Sequence, residues 1–591
     1  MTDLLKDLTP GARLALTGVA AGYDARLLGG LARGAAGGIL YVAADDVQLA
    51  RLAEAVGFFA PDIEILEFPA WDTVPYDRAS PHAELVGRRL ETLSRLADAP
   101  VKPGRLILAT ARAAVQRVPT RESMAGVHLD LATGASLDPE KLIAFLERNG
   151  YGRAEQVLEP GEYAVRGGIV DIFPSGASDP ARLDFFGDTL DTLRSFDPVT
   201  QRTTQPLERL TLRPISEIRL NEASIAAFRS GYREHFGAVA DDPLYEAVSA
   251  GRRFPGMENW LPLFSEGLDT LFAYAPEAVV VFDAGLAESL EAAWDQIEEY
   301  YAARKAAESV KDGSAPYHPL PPNRLYLDEA EWGSLLAARA AALLTPFDAP
   351  PEAFAAAAIR PMDSLPGRPF AEAKGRALET VLPEIAAYLA EQRGQGRRAM
   401  VAALTQGSRD RLAGMLKTLG PVVTAAAWSE VEALPPEVLA VVAVPIERGF
   451  RAPGLCVIAE QDILGDRLAQ PRRKKARKAE NFIADASALA EGDLVVHAEH
   501  GIGRYEGLET VSAGGAPHDC LRLVYADGDK LFVPVENIEV LSRYGSEDAG
   551  VNLDRLGSPA WQARKAKLKE RIREIAEQLI KTAAARQVRK A

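Results

Sequence analysis

Cysteine is nearly absent. Cys456 and Cys520 are the only two in 591 residues, which excludes a disulfide framework and points to a reducing, bacterial-type cytoplasm. No apolar run approaches the roughly 20 residues that span a bilayer, so no membrane is expected among the partners. The N-terminus, MTDLLKDLTPGARLAL, carries acids and a Pro-Gly turn, where a secretory leader has a basic start and a long apolar core. A basic excess is missing too. The net charge is −16, and duplex binding needs clustered Lys and Arg to displace counterions, so DNA contact is expected to be local or carried by another part. The chain holds no Gly-Lys dipeptide and no G-x-S-x-G, which removes the usual phosphate loop and the nucleophile elbow.

What is present is a succession of different patterns, and the length implies several domains. Residues 1–120 alternate short apolar runs (LALTG, GGILYVAA, RLILAT) with helical stretches (ARLLGGLARG, DVQLARLAEAVGFF), the mark of an α/β unit with buried parallel strands. Residues 121–215 change to closely spaced strands with Gly, Pro and Asp turns, a small sheet-rich insert. Residues 216–340, with AVVVFDA, return to α/β and complete the first unit. Residues 341–375, rich in Ala and Pro, read as a linker. Residues 376–460 form a further α/β domain, and 461–487, with PRRKKARK, a basic linker. Residues 488–548 read as a small all-β, barrel-like domain. Residues 549–591 hold a linker and a long helix with Leu568, Ile572, Ile575 and Leu579 on one face.

The first strand is followed by GVAAGYDA. A phosphate loop belongs at that place in an α/β unit, but Tyr23 and Asp24 follow Gly22 where Gly-Lys would stand. Gly18, Gly22, Tyr23 and Asp24 thus outline a degenerate loop with no nucleotide expected, because a carboxylate repels phosphate. DEAE at 328–331 looks like a helicase acidic box but reads better as a helix start, since acids favour the first turn. HAEH, with His497 and His500, lies about 20 residues before His518 and Cys520, a spacing that fits no zinc motif, and no metal is expected. The residues by themselves describe a non-enzymatic chain.

Three stretches carry a family resemblance. EPGEYAVRGGIVDIFPSG at 159–176 with RLDFFGDTLDTLRSFDPVTQRT at 182–203 resembles the domain shared by the excision-repair protein UvrB and the coupling factors called Mfd. FPAWDTVPYDRASPHAELVGRRLETL at 68–93 resembles Mfd rather than UvrB, whose long aromatic-rich hairpin finds no room between Pro75 and His82. GDLVVHAEHGIGRYEGLETVSAGG with YADGDKLFVPVENIEVLSRY, at 492–515 and 525–544, resembles the Tudor-like polymerase-interaction domain of Mfd and of CarD-type regulators.

The resemblance implies a multidomain transcription-coupled repair factor. Its partners are the RNA polymerase β subunit and UvrA. In the family a motor follows the closing helix, using ATP and Mg to move along DNA. This chain ends at Ala591, and the expectation is a chain without that motor and with no cofactor of its own. Carried over by position, the UvrA contacts match Arg166, Arg182 and Phe186. Strand alternation in R-L-D-F-F puts Arg182, Asp184 and Phe186 on one face and Leu183 and Phe185 on the other, which makes Phe186 the exposed aromatic beside two guanidinium forks. The polymerase contact matches Val511, with Leu508, Glu509 and Thr510 beside it, docking by strand addition. The alternative is a CarD-type regulator that works through polymerase binding alone.

Overall fold

The computed structural model describes residues 2–98, 102–237, 242–307, 317–350, 354, 357–370, 378–465, 494–497, 500–513, 516–534, 541–543, 553 and 555. The chain divides into two compact units, one ending at Gln470 and the other beginning at Pro471. The basic run 471–478 and the closing helix expected near 558–591 lie outside the described residues.

The first unit begins with strands β1 (Arg13–Thr17), β2 (Ile39–Ala43), β3 (Glu64–Phe68) and β4 (Arg105–Thr110), separated by helices Tyr23–Gly34, Asp46–Phe59 and Ala83–Asp98. Local chemistry starts these helices where the sequence suggests. Asp45 caps the second by accepting the Gln48 N–H at 2.8 Å, and Leu49, Leu52, Val56 and Phe59 then bury one face.

The insert follows. Strands β5 (Leu129–Ala132), β6 (Gly152–Arg153), β7 (Glu162–Arg166), β8 (Ile169–Ile172), β9 (Ala181–Phe186), β10 (Thr189–Phe196), β11 (Thr203–Pro206) and β12 (Arg209–Leu212) form two sheets. One runs β11-β10-β9-β8-β7-β6 and the other pairs β12 with β5. Helix Pro139–Arg148 buries Leu142 and Leu146 against Tyr163, Val170, Leu183, Phe185 and Leu193. Residues at period two supply that inner face, as alternation requires.

Strands β13 (Val279–Asp283), β14 (Ala341–Leu344) and β15 (Ala358–Pro361) then return to the first sheet. Its order is β15-β1-β14-β13-β2-β4-β3, every pair parallel. This corrects the reading of 341–375 as a linker. AALL at 341–344 is a central strand, buried at all four positions, between β1 and β13. A fully buried parallel strand shows no alternation, and an Ala-rich one is hard to tell from a loose segment by composition.

A second α/β domain contains β16 (Leu365–Pro366), β17 (Arg398–Ala403), β18 (Val422–Ala425), β19 (Leu439–Ala443), β20 (Phe450–Ala452) and β21 (Leu455–Ala459), in the order β16-β20-β21-β17-β19-β18. It ends in helix Glu460–Leu464, where Asp462 Oδ2 accepts the N–H groups of Gly449 and Ala459. The basic linker read from 461 therefore starts inside a packed helix, and its remainder lies outside the described residues.

In the second unit, β22 (Leu494–His497), β23 (Gly501–Ala513), β24 (Ala516–Val524), β25 (Lys530–Pro534) and β26 (Leu541–Arg543) form an antiparallel sheet ordered β25-β24-β23-β22-β26. Leu521, Leu523, Val495 and Tyr525 are its most buried side chains. No helix among the described residues is long and apolar enough to cross a membrane.

Candidate partner-docking sites

The degenerate loop lies between β1 and the helix that follows it, where a nucleotide would sit in such a sheet. Four of its backbone donors are already engaged. Gly18 N–H donates to Phe347 O (3.1 Å), Val19 N–H to Thr345 O (2.9 Å), and Tyr23 N–H to Ala20 O (3.0 Å). Ala20 N–H donates to Ser364 Oγ at 2.9 Å, and that hydroxyl donates in turn to Gly18 O at 2.6 Å. Gly22 has φ of 87°, and a Cβ there would stand 2.9 Å from the Ile446 side chain and 3.2 Å from Phe450. The second α/β domain thus fills the mouth of the loop with Ile446 and Phe450.

Asp24 turns its carboxylate back onto the Ala25 N–H at 2.8 Å. Burial pushes its pKa up from the ordinary 3.8 to about 6, with the Asp283 carboxylate adding to the rise. The native state therefore holds this proton more tightly than the unfolded chain, and stability falls as pH rises from about 4 through about 6. Replacing Asp24 by Asn is expected to raise stability at pH 7.5 by about 1–2 kcal/mol, with the gain gone near pH 4. Thermal unfolding at the two pH values checks it; equal gains at both would refute it.

The acidic box at 328–331 is a helix start. Asp328 Oδ1 accepts the Glu331 N–H at 2.8 Å, and Glu331 pairs with Arg117. At HAEH, the His497 and His500 rings lie 4.6 Å apart, and the His500 N–H reaches His497 Nδ1 at 3.3 Å. Among the described residues no group of three His, Cys, Asp or Glu side chains could hold a metal.

The insert brings Arg166, Arg182 and Phe186 onto one face of its larger sheet. Cross-strand partners run Arg166, Ile169, Asp184 and Thr192 in one row, and Ala164, Asp171, Arg182 and Arg194 in the next. Phe186 closes β9 opposite Thr189 and is 85% exposed, while Phe185 and Leu183 point into the core.

The arginines are less free than a docking pair would be. Arg182 places Nε at 2.7 Å and Nη2 at 2.9 Å from the two oxygens of Asp171. Its Nη1 donates to Gln201 O at 3.2 Å, and its guanidinium lies 4.7 Å from the Phe196 ring centre. The hydrogen-bonded Asp171 carboxylate raises the Arg182 pKa. Arg166 is exposed and donates from Nη2 to Glu155 O at 3.0 Å. Sequence reasoning missed Asp171, yet the signal was there. In I-V-D-I it alternates with two core residues, so it shares a face with Arg182, and a lone acid there calls for a basic partner across the strands.

In the second unit, Leu508, Glu509, Thr510 and Val511 all lie in β23, paired with Leu521, Cys520, Asp519 and His518 of β24. Strand β22 pairs with β23 only from Gly501 to Arg504. Beyond Arg504, no described strand lies on that side of β23, so residues 506–513 present a free edge among the described residues. Glu509 is engaged within the sheet, accepting from Arg522 Nη1 at 2.9 Å. The side chains of Leu508, Thr510 and Val511 lie outside the described atoms.

Two family models match the modules that carry these residues. Residues 129–217 match the UvrB interaction domain, and residues 489–545 match the CarD-like/TRCF RID domain. A transcription-repair-coupling factor of Rickettsia bellii (strain RML369-C) is 32% identical over 93% of this chain and 47% of its own length. That of Escherichia coli (strain K12) is 32% identical over 96% and 48%, and that of Haemophilus influenzae 32% over 89% and 45%. The chain spans about half the length of the curated relatives it matches. With the two domains in this order and similarity running almost end to end, the chain resembles the N-terminal part of the transcription-repair-coupling factors.

Proposed function

We propose that this chain is an adaptor of transcription-coupled nucleotide excision repair. One docking module holds the RNA polymerase β subunit, and the other recruits UvrA to it. The observation that carries this reading is the presence in one chain of a UvrB interaction domain with an exposed aromatic on its open face and a polymerase-interaction-type domain with a strand edge that is unpaired among the described residues. Tethering raises the local concentration of a repair protein at a polymerase without any bond being made or broken.

For UvrA, Phe186 is the anchor: a rigid ring held clear of its own core fills a partner's hollow at small entropic cost. For polymerase, β23 offers backbone groups to a docking strand. The first α/β unit acts as scaffold in this reading and takes no nucleotide, supported by the engaged N–H groups of Gly18, Val19, Ala20 and Tyr23 and the side chains of Ile446 and Phe450 at the loop mouth. DNA translocation is no part of the role proposed for these residues.

The test is a bridging assay, in which polymerase on beads retains UvrA only when this chain is added. Phe186→Ala is expected to weaken UvrA binding by about 2 kcal/mol or more, roughly thirtyfold, and to leave polymerase binding unchanged. Retention of polymerase without UvrA at any concentration would replace the adaptor by a CarD-type regulator.

A further inference from the structure

The insert exposes two further aliphatic side chains that the carried-over contact set does not include: Val199, 85% exposed, and Leu158, 53% exposed. They sit on separate loops, at the end of the sheet away from Phe186. Strand β10 is eight residues long, which at about 3.3 Å per residue puts roughly 25 Å between Phe186 and Val199. A standard interface of about 800 Å² per partner covers such a span.

Both loops are rigidly built. The Asp197 carboxylate accepts the N–H groups of Val199 (2.9 Å) and Thr200 (2.7 Å) and the Thr200 hydroxyl (3.0 Å). The Glu162 carboxylate accepts the N–H groups of Leu158 (2.8 Å) and Glu159 (3.0 Å). Gln201 joins the loops: its Nε2 donates to Val157 O at 3.0 Å and to Pro198 O at 2.7 Å. Gln201 does this from a left-handed backbone, φ 58°, one of only two non-glycine residues so placed among the described residues. That conformation is uncommon for a residue with a side chain, and strain of this kind persists where the surroundings over-determine it. Arg182 completes the arrangement by donating to Gln201 O, and Arg166 holds Glu155 O on the first loop.

We infer that Leu158 and Val199 form a preorganised apolar clamp that is the second contact of the insert with UvrA, and that Arg166 and Arg182 serve as positioning residues for it. This rests on the reading of the insert as the UvrA-binding module. The loops that carry the clamp and Phe186 stand at opposite ends of the sheet, with the Arg182–Asp171 pair and its bond to Gln201 between them. A stiff loop that exposes a valine loses little entropy on docking, and side chains left 85% and 53% exposed keep much of their apolar area outside the fold's own core. The partner surface has two apolar hollows, one for the ring and one for the aliphatic pair.

The experiment measures UvrA affinity for the full chain, for Phe186→Ala, and for the doubly substituted Leu158→Asp/Val199→Asp chain, with thermal unfolding and sedimentation of each. The expected result is a loss of at least tenfold for the double variant with an unchanged melting curve. Arg182→Lys should reduce affinity less than Arg182→Ala, because a lysine can still hold Asp171 and Gln201 O, if imperfectly; equal losses would make Arg182 a direct contact and overturn the positioning role. Double-variant affinity within twofold of the parent, with Phe186→Ala defective, overturns the clamp and leaves the module reading standing. Neither variant changing affinity, or no UvrA binding by the parent chain, overturns the module reading and the clamp with it. A shift of the double variant from dimer to monomer at unchanged UvrA affinity assigns the clamp to a second copy of the chain and overturns the proposal.

Discussion

Arg89→Ala is expected to lower the unfolding free energy by about 3–5 kcal/mol. The Arg89 side chain is 0% exposed, and its Nε lies 2.6 Å from Glu217 Oε1, on a side chain 1% exposed. The guanidinium also donates to Pro69 O at 2.8 Å and lies 4.2 Å from the Phe68 ring centre, while Trp71 Nε1 donates to the same carboxylate oxygen at 3.3 Å. Removing Arg89 leaves a carboxylate dry and unpaired. Removing both charges does not, so Arg89→Met with Glu217→Leu is expected to recover most of the loss. The pair sits where the insert rejoins the first α/β unit, on helix Ala83–Asp98, so the loss also loosens the insert. Urea unfolding followed by circular dichroism measures it; a change below about 1 kcal/mol for Arg89→Ala would show that water reaches the site.

Thr510→Pro is expected to weaken polymerase binding about tenfold to a hundredfold while leaving the sheet folded. Ala513 pairs with Ala516 across two intervening residues, so the hairpin closes on a hydrogen-bonded pair. Bonded and non-bonded pairs then alternate. Val511–His518 and Glu509–Cys520 are bonded; Ser512–Pro517, Thr510–Asp519 and Leu508–Leu521 are not. Pro517 falls on a non-bonded position, where its missing N–H costs the ladder nothing. Leu508, Thr510 and Ser512 therefore turn their N–H and C=O groups toward the free edge. A proline at 510 deprives a docking strand of one donor, a loss of about 1–3 kcal/mol. Val511→Pro makes the contrast, since it breaks a bond to β24 and should destabilise the hairpin. Titration with a polymerase β fragment decides, and unchanged affinity for Thr510→Pro would refute docking along this edge.

Much of this was legible in the residues. The strands at LALTG, GGILYVAA and RLILAT, and the helix DVQLARLAEAVGFF, stand where period and capping put them, because each is a local pattern. R-L-D-F-F was enough to set Phe186 outside and Phe185 inside, since alternation needs no tertiary information. Residues 341–344 were not legible, because a strand buried on both faces has no alternation and its alanines suit a linker equally well. The engagement of Arg182 was only half legible. Asp171 shares its face by alternation, but the pairing depends on β8 and β9 standing side by side in register.

By itself, then, the chain determined its succession of modules, the lack of a phosphate-binding lysine, the exposure of Phe186 and the identity of the stretches that resemble repair and polymerase-binding domains, all of them properties of neighbouring residues. Only the tertiary structure decided that Ile446 and Phe450, more than 400 residues from Gly22, fill the degenerate loop. It also decided that Arg89 and Glu217 join helix and insert, that Gln201 locks two loops under Val199 and Leu158, and that the pairing of β22 with β23 ends at Arg504 and leaves an edge open among the described residues. Contacts between distant segments are set by how whole elements pack, and short sequence windows carry little trace of them.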